Sequence, residues 1–104
     1  MSRLEQLREM LVNEPDDAFL NYALALELDK VERHDESLEL FEKLVKCDPP
    51  YVPAFFMAGQ MLARLDRHAE AEKFLTQGIE EARRQGNSHA AGEMTEFLAM
   101  ISGT

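Results

Sequence analysis

The feature that most constrains the fold of this chain is an internal repeat with a period of 34 residues. A shift by that length places residues 24–28 on 58–62, residues 34–37 on 68–71, Phe41 on Leu75, and Pro15 on Pro49. A helix-turn-helix unit of this length cannot bury its own apolar face, so neighbouring copies stack and share one core. The repeat therefore predicts a binding scaffold.

The composition limits the chain to one domain and restricts the classes of partner that it can bind. A chain of 104 residues with 45% hydrophobic content suits a single core. Twenty acidic and eleven basic residues give a net charge of -9, which disfavours nucleic acid and anionic membrane surfaces. The charge is consistent with solubility alone, with a basic partner, or with a high-salt source.

The chain shows no sign of export or membrane insertion. Residues 1–6 are too polar for a signal peptide, and no apolar run approaches the roughly 20 residues of a spanning helix. Cys47 is the only cysteine, so an intrachain disulfide is impossible. We expect a cytoplasmic protein in which Cys47 is a buried or half-buried thiol.

Six helical segments follow from the 3.6-residue periodicity and from the Pro, Gly and Asn residues between them. Their approximate bounds are residues 2–13, 17–32, 35–47, 52–65, 69–85 and 88–102. No segment alternates with period two, and every connection is short, so consecutive helices should be antiparallel neighbours. The predicted fold is all-α, an α-solenoid of antiparallel helix-turn-helix repeats.

The repeated positions resemble the pattern of the tetratricopeptide repeat family. The first unit carries Asn21, Leu24, Ala25, Leu28, Ser37, Phe41 and Pro49, and the second Phe55, Ala58, Gly59, Leu62, Ala71 and Leu75. Small residues stand where two helices must approach closely, namely Ala25, Ser37, Gly59, Ala71 and Gly78. The resemblance implies one domain, 1–104, built from a half-repeat (1–15), two repeats (18–51 and 52–85) and a capping helix (88–102).

Three positions depart from the family pattern. Asn21 replaces the aromatic residue, Leu44 replaces a small one, and Arg83 stands where a proline would fall. The missing proline predicts that the fifth helix continues for another turn. Two repeats, a half-repeat and a cap only approximate the three repeats needed for stability, so a homodimer is also possible.

The second and fourth helices each carry an apolar stripe beyond the one needed for packing within their hairpin. In tetratricopeptide repeat proteins the first helix of each unit lines a concave groove, so the resemblance places the extra stripes there. The predicted partner-binding groove consists of Phe19, Tyr22, Leu26, Lys30, Phe56, Met57, Gln60 and Arg64. In the alternative, a terminal helix folds over the apolar members, and Lys30 and Arg64 merely complement the helix dipoles.

The predicted function is non-catalytic binding of a peptide or helix from an unidentified protein partner. The alternative is self-association through the same apolar surface or the last helix. Tyr22, Leu26 and Met57 occupy places where some relatives hold polar residues that grip chaperone tails, so that ligand is disfavoured. His34 and His68 are equivalent residues beside the turns, and we expect no metal, cofactor or catalytic site.

Overall fold

The computed structural model describes residues 1–103, which form six α-helices and no strand. The helices are α1 (Arg3–Asn13), α2 (Ala18–Lys30), α3 (His34–Val45), α4 (Val52–Arg64), α5 (His68–Arg84) and α6 (Ser88–Ile101). The predicted all-α repeat fold and the number of helices are confirmed. None of the six helices combines the length and the hydropathy that a bilayer-spanning segment requires.

The chain divides into two compact units, the first spanning Met1–Tyr51 and the second beginning at Val52. In the first unit, α2 packs against both α1 and α3. Leu7, Leu24 and Leu28 form the centre of this core, and a ring of partly buried apolar side chains packs around them. Two of these helices start at side-chain caps: Ser2 and Glu5 form a capping box on α1, and at the start of α2 Asp17 accepts a hydrogen bond from the Leu20 N–H at 2.8 Å.

The two helices of the first hairpin approach closely at Ser37. This residue is fully buried, and its hydroxyl donates a hydrogen bond of 2.7 Å to the backbone carbonyl of Ala25 on α2. Ala25 is also fully buried, so the two backbones meet there across side chains no larger than a methyl and a hydroxymethyl group. The predicted role of these small residues as a point of close approach is confirmed.

In the second unit, α4, α5 and α6 all pack against one another. Two glycines make this possible because a side chain at either position would collide with a neighbouring helix. A Cβ atom on Gly59 would lie 2.7 Å from Leu75 Cγ, and one on Gly78 would lie 2.5 Å from Phe55 Cβ and 2.6 Å from Met94 Sδ. Gly78 of α5 therefore lets α4 and α6 approach the same helix.

The turns inside the two hairpins have the same geometry at positions one period apart. Glu32 and Asp66 both have left-handed backbones, with φ of 64° and 60°. The next residue in each turn, Arg33 or Arg67, donates its N–H over 2.8 Å to a carbonyl in the preceding helix. Each arginine also pairs with the glutamate three residues later, at 2.7 Å. The sequence repeat is thus also a repeat of backbone conformation.

The predicted extension of the fifth helix is confirmed. Helix α5 has 17 residues, whereas its counterpart α3 has 12. Arg84 ends the added turn and Gln85 follows it, and both side chains hydrogen-bond to the carboxylate of the buried Glu81. The bond from Arg84, and next the bond from Gln85, lower the pKa of Glu81 from its ordinary value.

The prediction for Cys47 is wrong, because its side chain is exposed. Helix α3 ends at Val45, two residues before the predicted end, and Cys47 follows in the turn that leads to Pro49. Outside the helix, Cys47 no longer continues the buried stripe to which Phe41 and Leu44 belong.

Candidate functional site

The residues of the predicted groove differ widely in exposure. Those near the middle of α2 and α4 are half-buried, and those at the helix ends are exposed. The half-buried residues are Tyr22, Leu26, Phe56, Met57 and Gln60, and the exposed ones are Phe19, Lys30 and Arg64. Because the groove residues are divided between the two units, each unit is described separately.

Tyr22 belongs to a cluster of three aromatic rings in the first unit. Its ring centroid lies 5.3 Å from that of Tyr51 and 6.5 Å from that of the fully buried Phe41, and both ring pairs are tilted. Burial, followed by the neighbouring Tyr51, raises the pKa of the Tyr22 phenol. Tyr22 is therefore partly a core residue, with only part of its ring available to a ligand.

Phe19 contributes to a different feature of the first unit, although it shares a helical stripe with Tyr22. Its side chain is 64% exposed and lines an open cavity of about 410 Å³. We call this feature the α1–α2 cavity, and its lining residues are Met10, Asn13, Glu14, Asp17, Phe19 and Leu20. The predicted α2 stripe thus includes residues with two different environments.

Phe56 of α4 pairs with Phe97 of α6 in the second unit. The two ring centroids are 5.8 Å apart, and the rings meet edge to face with an interplanar angle of 69°. Both side chains remain half-buried, so α6 covers Phe56 only in part. The alternative, in which a terminal helix folds over the apolar residues of the groove, therefore holds for only one side of the Phe56 ring.

Sequence reasoning missed Tyr51 and Phe97 as neighbours of the predicted groove residues. Phe97 stands at helical spacing from Met94 and Ile101, and this spacing was the signal that α6 would bring it to another helix. Tyr51 lies between Pro50 and the start of α4, where no helical periodicity exists to indicate which way a side chain faces.

The two equivalent histidines, His34 and His68, each lie beside one aspartate and form two separate pairs. His34 Nδ1 lies 3.1 Å from Asp29 Oδ1, and His68 Nε2 lies 3.6 Å from Asp66 Oδ1. Among residues 1–103, no group of three or more His, Cys, Asp or Glu side chains has an arrangement that could hold a metal ion. Each histidine is the first residue of its helix, so the equivalence of the pair follows from the repeat.

Comparisons with known proteins place the chain among tetratricopeptide repeat proteins. A tetratricopeptide repeat family model matches residues 52–85. The solution structure of a tetratricopeptide repeat domain protein from Salinibacter ruber is 38% identical, with a TM-score of 0.81, and the alignment covers 86% of this chain and 91% of that one. A crystal structure of a tetratricopeptide repeat domain protein from the same organism is also 38% identical, with a TM-score of 0.75, and covers 85% and 98% of the two chains.

A third solved structure supports the fold alone. It is a solution structure of a protein from Bordetella parapertussis, 24% identical, with a TM-score of 0.82 and coverage of 98% of this chain and 89% of that one. No curated protein matches the chain significantly. Helical repeats of this kind generally present surfaces for protein–protein interaction and are generally not catalytic.

Proposed function

Because the chain belongs to the tetratricopeptide repeat family, we propose that it is a non-catalytic interaction module that binds a peptide or helix of a partner protein. The proposed binding residues are the eight of the predicted groove. They lie on α2 in the first unit and on α4 in the second. This function is consistent with a family that generally serves in protein–protein interaction.

The observation that carries the proposal is the partly exposed aromatic pair of the second unit. Phe56 and Phe97 already fix each other at 5.8 Å, so a ligand that covers them orders little additional side-chain motion. Met57 and Gln60 are half-buried on the same helix and add an adaptable thioether and an amide that can both donate and accept. An apolar side chain of a partner peptide fits such a surface.

We expect the groove residues of the first unit to contribute less to partner binding than those of the second. Leu26 is half-buried, and Lys30 is exposed at the last position of α2. An aliphatic side chain followed one turn later by a cation suits a partner segment that is apolar along its length and acidic at one end. Tyr22 contributes only the part of its ring that Phe41 and Tyr51 leave uncovered.

The proposal is tested by affinity capture from a cell extract with Phe56→Glu as the disrupting variant. We expect proteins captured by the wild type to be depleted at least about tenfold with Phe56→Glu, because a charge replaces an apolar contact. Val12→Glu, which changes a residue that is 79% exposed on α1, is the matched control and should capture the same proteins as the wild type. Equal capture by Phe56→Glu and the wild type would contradict the proposal.

Thermal unfolding of the same variants separates loss of binding from loss of structure. Phe56→Ala should lower Tm by only a few degrees if the ring is mainly a contact surface. A fall of many degrees, of the size that core truncations cause, would mean that Phe56 is a packing residue and not a binding residue.

A second candidate function is self-association through the last helix. Met100 on α6 is 65% exposed, and the adjacent Ile101 is half-buried, so this helix presents apolar area near its end. Light scattering across a hundredfold concentration range distinguishes the two functions. A dimer that dissociates with Met100→Glu would support self-association, and a monomer at every concentration would exclude it.

A further inference from the structure

The α1–α2 cavity has two large apolar side chains exposed on its wall. Met10 and Phe19 are 54% and 64% exposed, and both line the same cavity of about 410 Å³. That volume lies within the range of about 300–1,000 Å³ that is typical of ligand pockets. Leu20, the third apolar lining residue, also packs against the core of the first unit and so anchors the cavity wall.

The repeat architecture does not require an aromatic side chain at the position of Phe19. One period later the equivalent residue is Pro53, which is also exposed, and the second hairpin forms without a ring there. Phe19 therefore serves no packing function common to both hairpins. An apolar residue that is exposed beside a second one, and is not needed by the fold, is typical of a contact surface.

The polar part of the cavity determines what kind of ligand fits. Its polar lining consists of Asn13, Glu14 and Asp17, with no lysine or arginine among the lining residues. Asp16, next to Asp17, is exposed and adds a further carboxylate nearby. These carboxylates favour a cationic ligand group over a neutral or anionic one. Dissolved salt should screen this attraction and so weaken it.

We propose that the α1–α2 cavity binds a short polypeptide segment in which an aliphatic or aromatic side chain stands beside lysine or arginine. The apolar side chain packs against Met10 and Phe19, while the cation lies near Glu14 and Asp17. This site goes beyond the proposed function, because it uses α1 and shares only Phe19 with the predicted groove. Charge also disfavours a second copy as the occupant, since each copy carries a net charge of -9.

The proposal is tested by titrating the 15N-labelled full chain with the peptide acetyl-Gly-Lys-Leu-Leu-Lys-Gly-amide and recording amide shifts by NMR. We expect saturable shifts at Met10, Asn13, Phe19 and Leu20. Met10→Ser should weaken the affinity about tenfold, because it removes most of one apolar contact. Met10 is chosen because it is not a groove residue, so a failure here leaves the proposed function untouched.

Matched controls make the result specific. Val31→Ser changes an apolar side chain that is 47% exposed and does not line the cavity, and it should leave the affinity unchanged. A peptide with glutamate in place of lysine, and one with serine in place of leucine, should each bind at least about tenfold more weakly. Raising the salt from about 0.05 to 0.5 M should also weaken binding of the lysine peptide.

Three outcomes would overturn the proposal. The first is equal binding of the lysine and glutamate peptides, because the carboxylates would then have no effect. The second is a set of shifts centred on Phe56 and Met57 instead of the cavity. The third is a concentration-dependent dimer that Met10→Ser dissociates, which would assign the cavity to a second copy of the chain.

Discussion

In the first unit α2 lies between α1 and α3, whereas in the second unit α4, α5 and α6 all contact one another. The two units nevertheless contain hairpins with the same period and the same turn geometry. The third helix precedes the hairpin in the first unit and follows it in the second, and one repeat position of the hairpins also differs, which is Leu44 in α3 and Gly78 in α5. Leu44 is a large buried side chain, and Gly78 leaves room for side chains from α4 and α6.

This comparison shows that the repeat encodes the hairpin, while the third helix joins the hairpin at α2 in the first unit and mainly at α5 in the second. A second difference is the chemistry at the closest approach within each hairpin. The first hairpin uses the buried hydroxyl of Ser37 on the Ala25 carbonyl. The second has Ala71 at the equivalent position and relies on apolar contact between Gly59 and Leu75.

The largest effect is expected from Gly78→Ala, which tests whether close packing of three helices distinguishes the second unit. The added methyl group would lie 2.5 Å from Phe55 Cβ, and that atom cannot move aside without moving its helix. We expect the free energy of unfolding to fall by about 1–3 kcal/mol, measured by urea denaturation.

Gly92→Ala is the matched control for Gly78→Ala, because it makes the same chemical change inside α6. No atom of another helix lies within 4 Å of a Cβ at Gly92, so only helix propensity changes. We expect this variant to be stabilised by about 0.5–1 kcal/mol. If both variants behaved alike, the close packing at Gly78 would be disproved.

A smaller effect is expected from Ser37→Ala, which makes the first hairpin resemble the second. The change removes the buried hydrogen bond to Ala25, so the free energy of unfolding should fall by about 0.5–1.5 kcal/mol in urea denaturation. The reciprocal variant Ala71→Ser should be nearly neutral if its hydroxyl reaches the Gly59 carbonyl. A loss of about 1–3 kcal/mol for Ala71→Ser would show that the two hairpins are not equivalent at this point.

A gain in stability is expected from Glu32→Gly, and it tests the equivalence of the two turns. Glu32 has a φ of 64°, a conformation that is strained for a residue with a Cβ atom and unstrained for glycine. We expect the free energy of unfolding to rise by about 0.5–1 kcal/mol. Asp66→Gly should raise it less, because aspartate tolerates this conformation better and Asp66 also lies 3.6 Å from His68.

The smallest effect is expected from Glu81→Gln, which tests the added turn of α5. The pKa of Glu81 is lowered from 4.5 in the folded chain, so its contribution to stability is fully present above about pH 4.5 and is lost at lower pH. Glu81→Gln should therefore have a lower Tm than the wild type at pH 7, and the difference should narrow at pH 3.

Arg84→Gln provides the control, since Arg84 is the main cause of the lowered pKa of Glu81. This variant should show the same narrowing of the Tm difference between pH 7 and pH 3. A Tm difference for Glu81→Gln that does not depend on pH would mean that the carboxylate has no charge-dependent role. The first unit has no counterpart for this test, because the equivalent residue is the exposed Cys47 in a turn.

Much of the fold could be predicted from the sequence because its causes are local. The period located both hairpins, and the small residues Ser37, Gly59 and Gly78 indicated where helices approach. The absence of proline at Arg83 predicted the longer α5. The environment of Cys47 was predicted wrongly, because the last turn of a helix depends on weak end effects that a periodic pattern does not capture.

The candidate site was less predictable, because periodicity shows which residues share a helical face but not which neighbour covers them. Phe19 and Tyr22 share a stripe on α2, yet Tyr22 packs against Phe41 and Phe19 lines a cavity with Met10. Phe56 is half-buried on α4, and its partner Phe97 lies 41 residues further along the chain, on α6. Such contacts depend on how helices cross.

The sequence by itself determined the six helices, the hairpin pairing and the positions where helices approach, because these follow from spacing along the chain. Only the tertiary structure decided that α6 closes on α4 and α5, that Phe97 meets Phe56, and that Met10 and Phe19 share one cavity. The physical reason is that these contacts join side chains from different helices. Their distances are set by packing in three dimensions, which the repeat period does not specify.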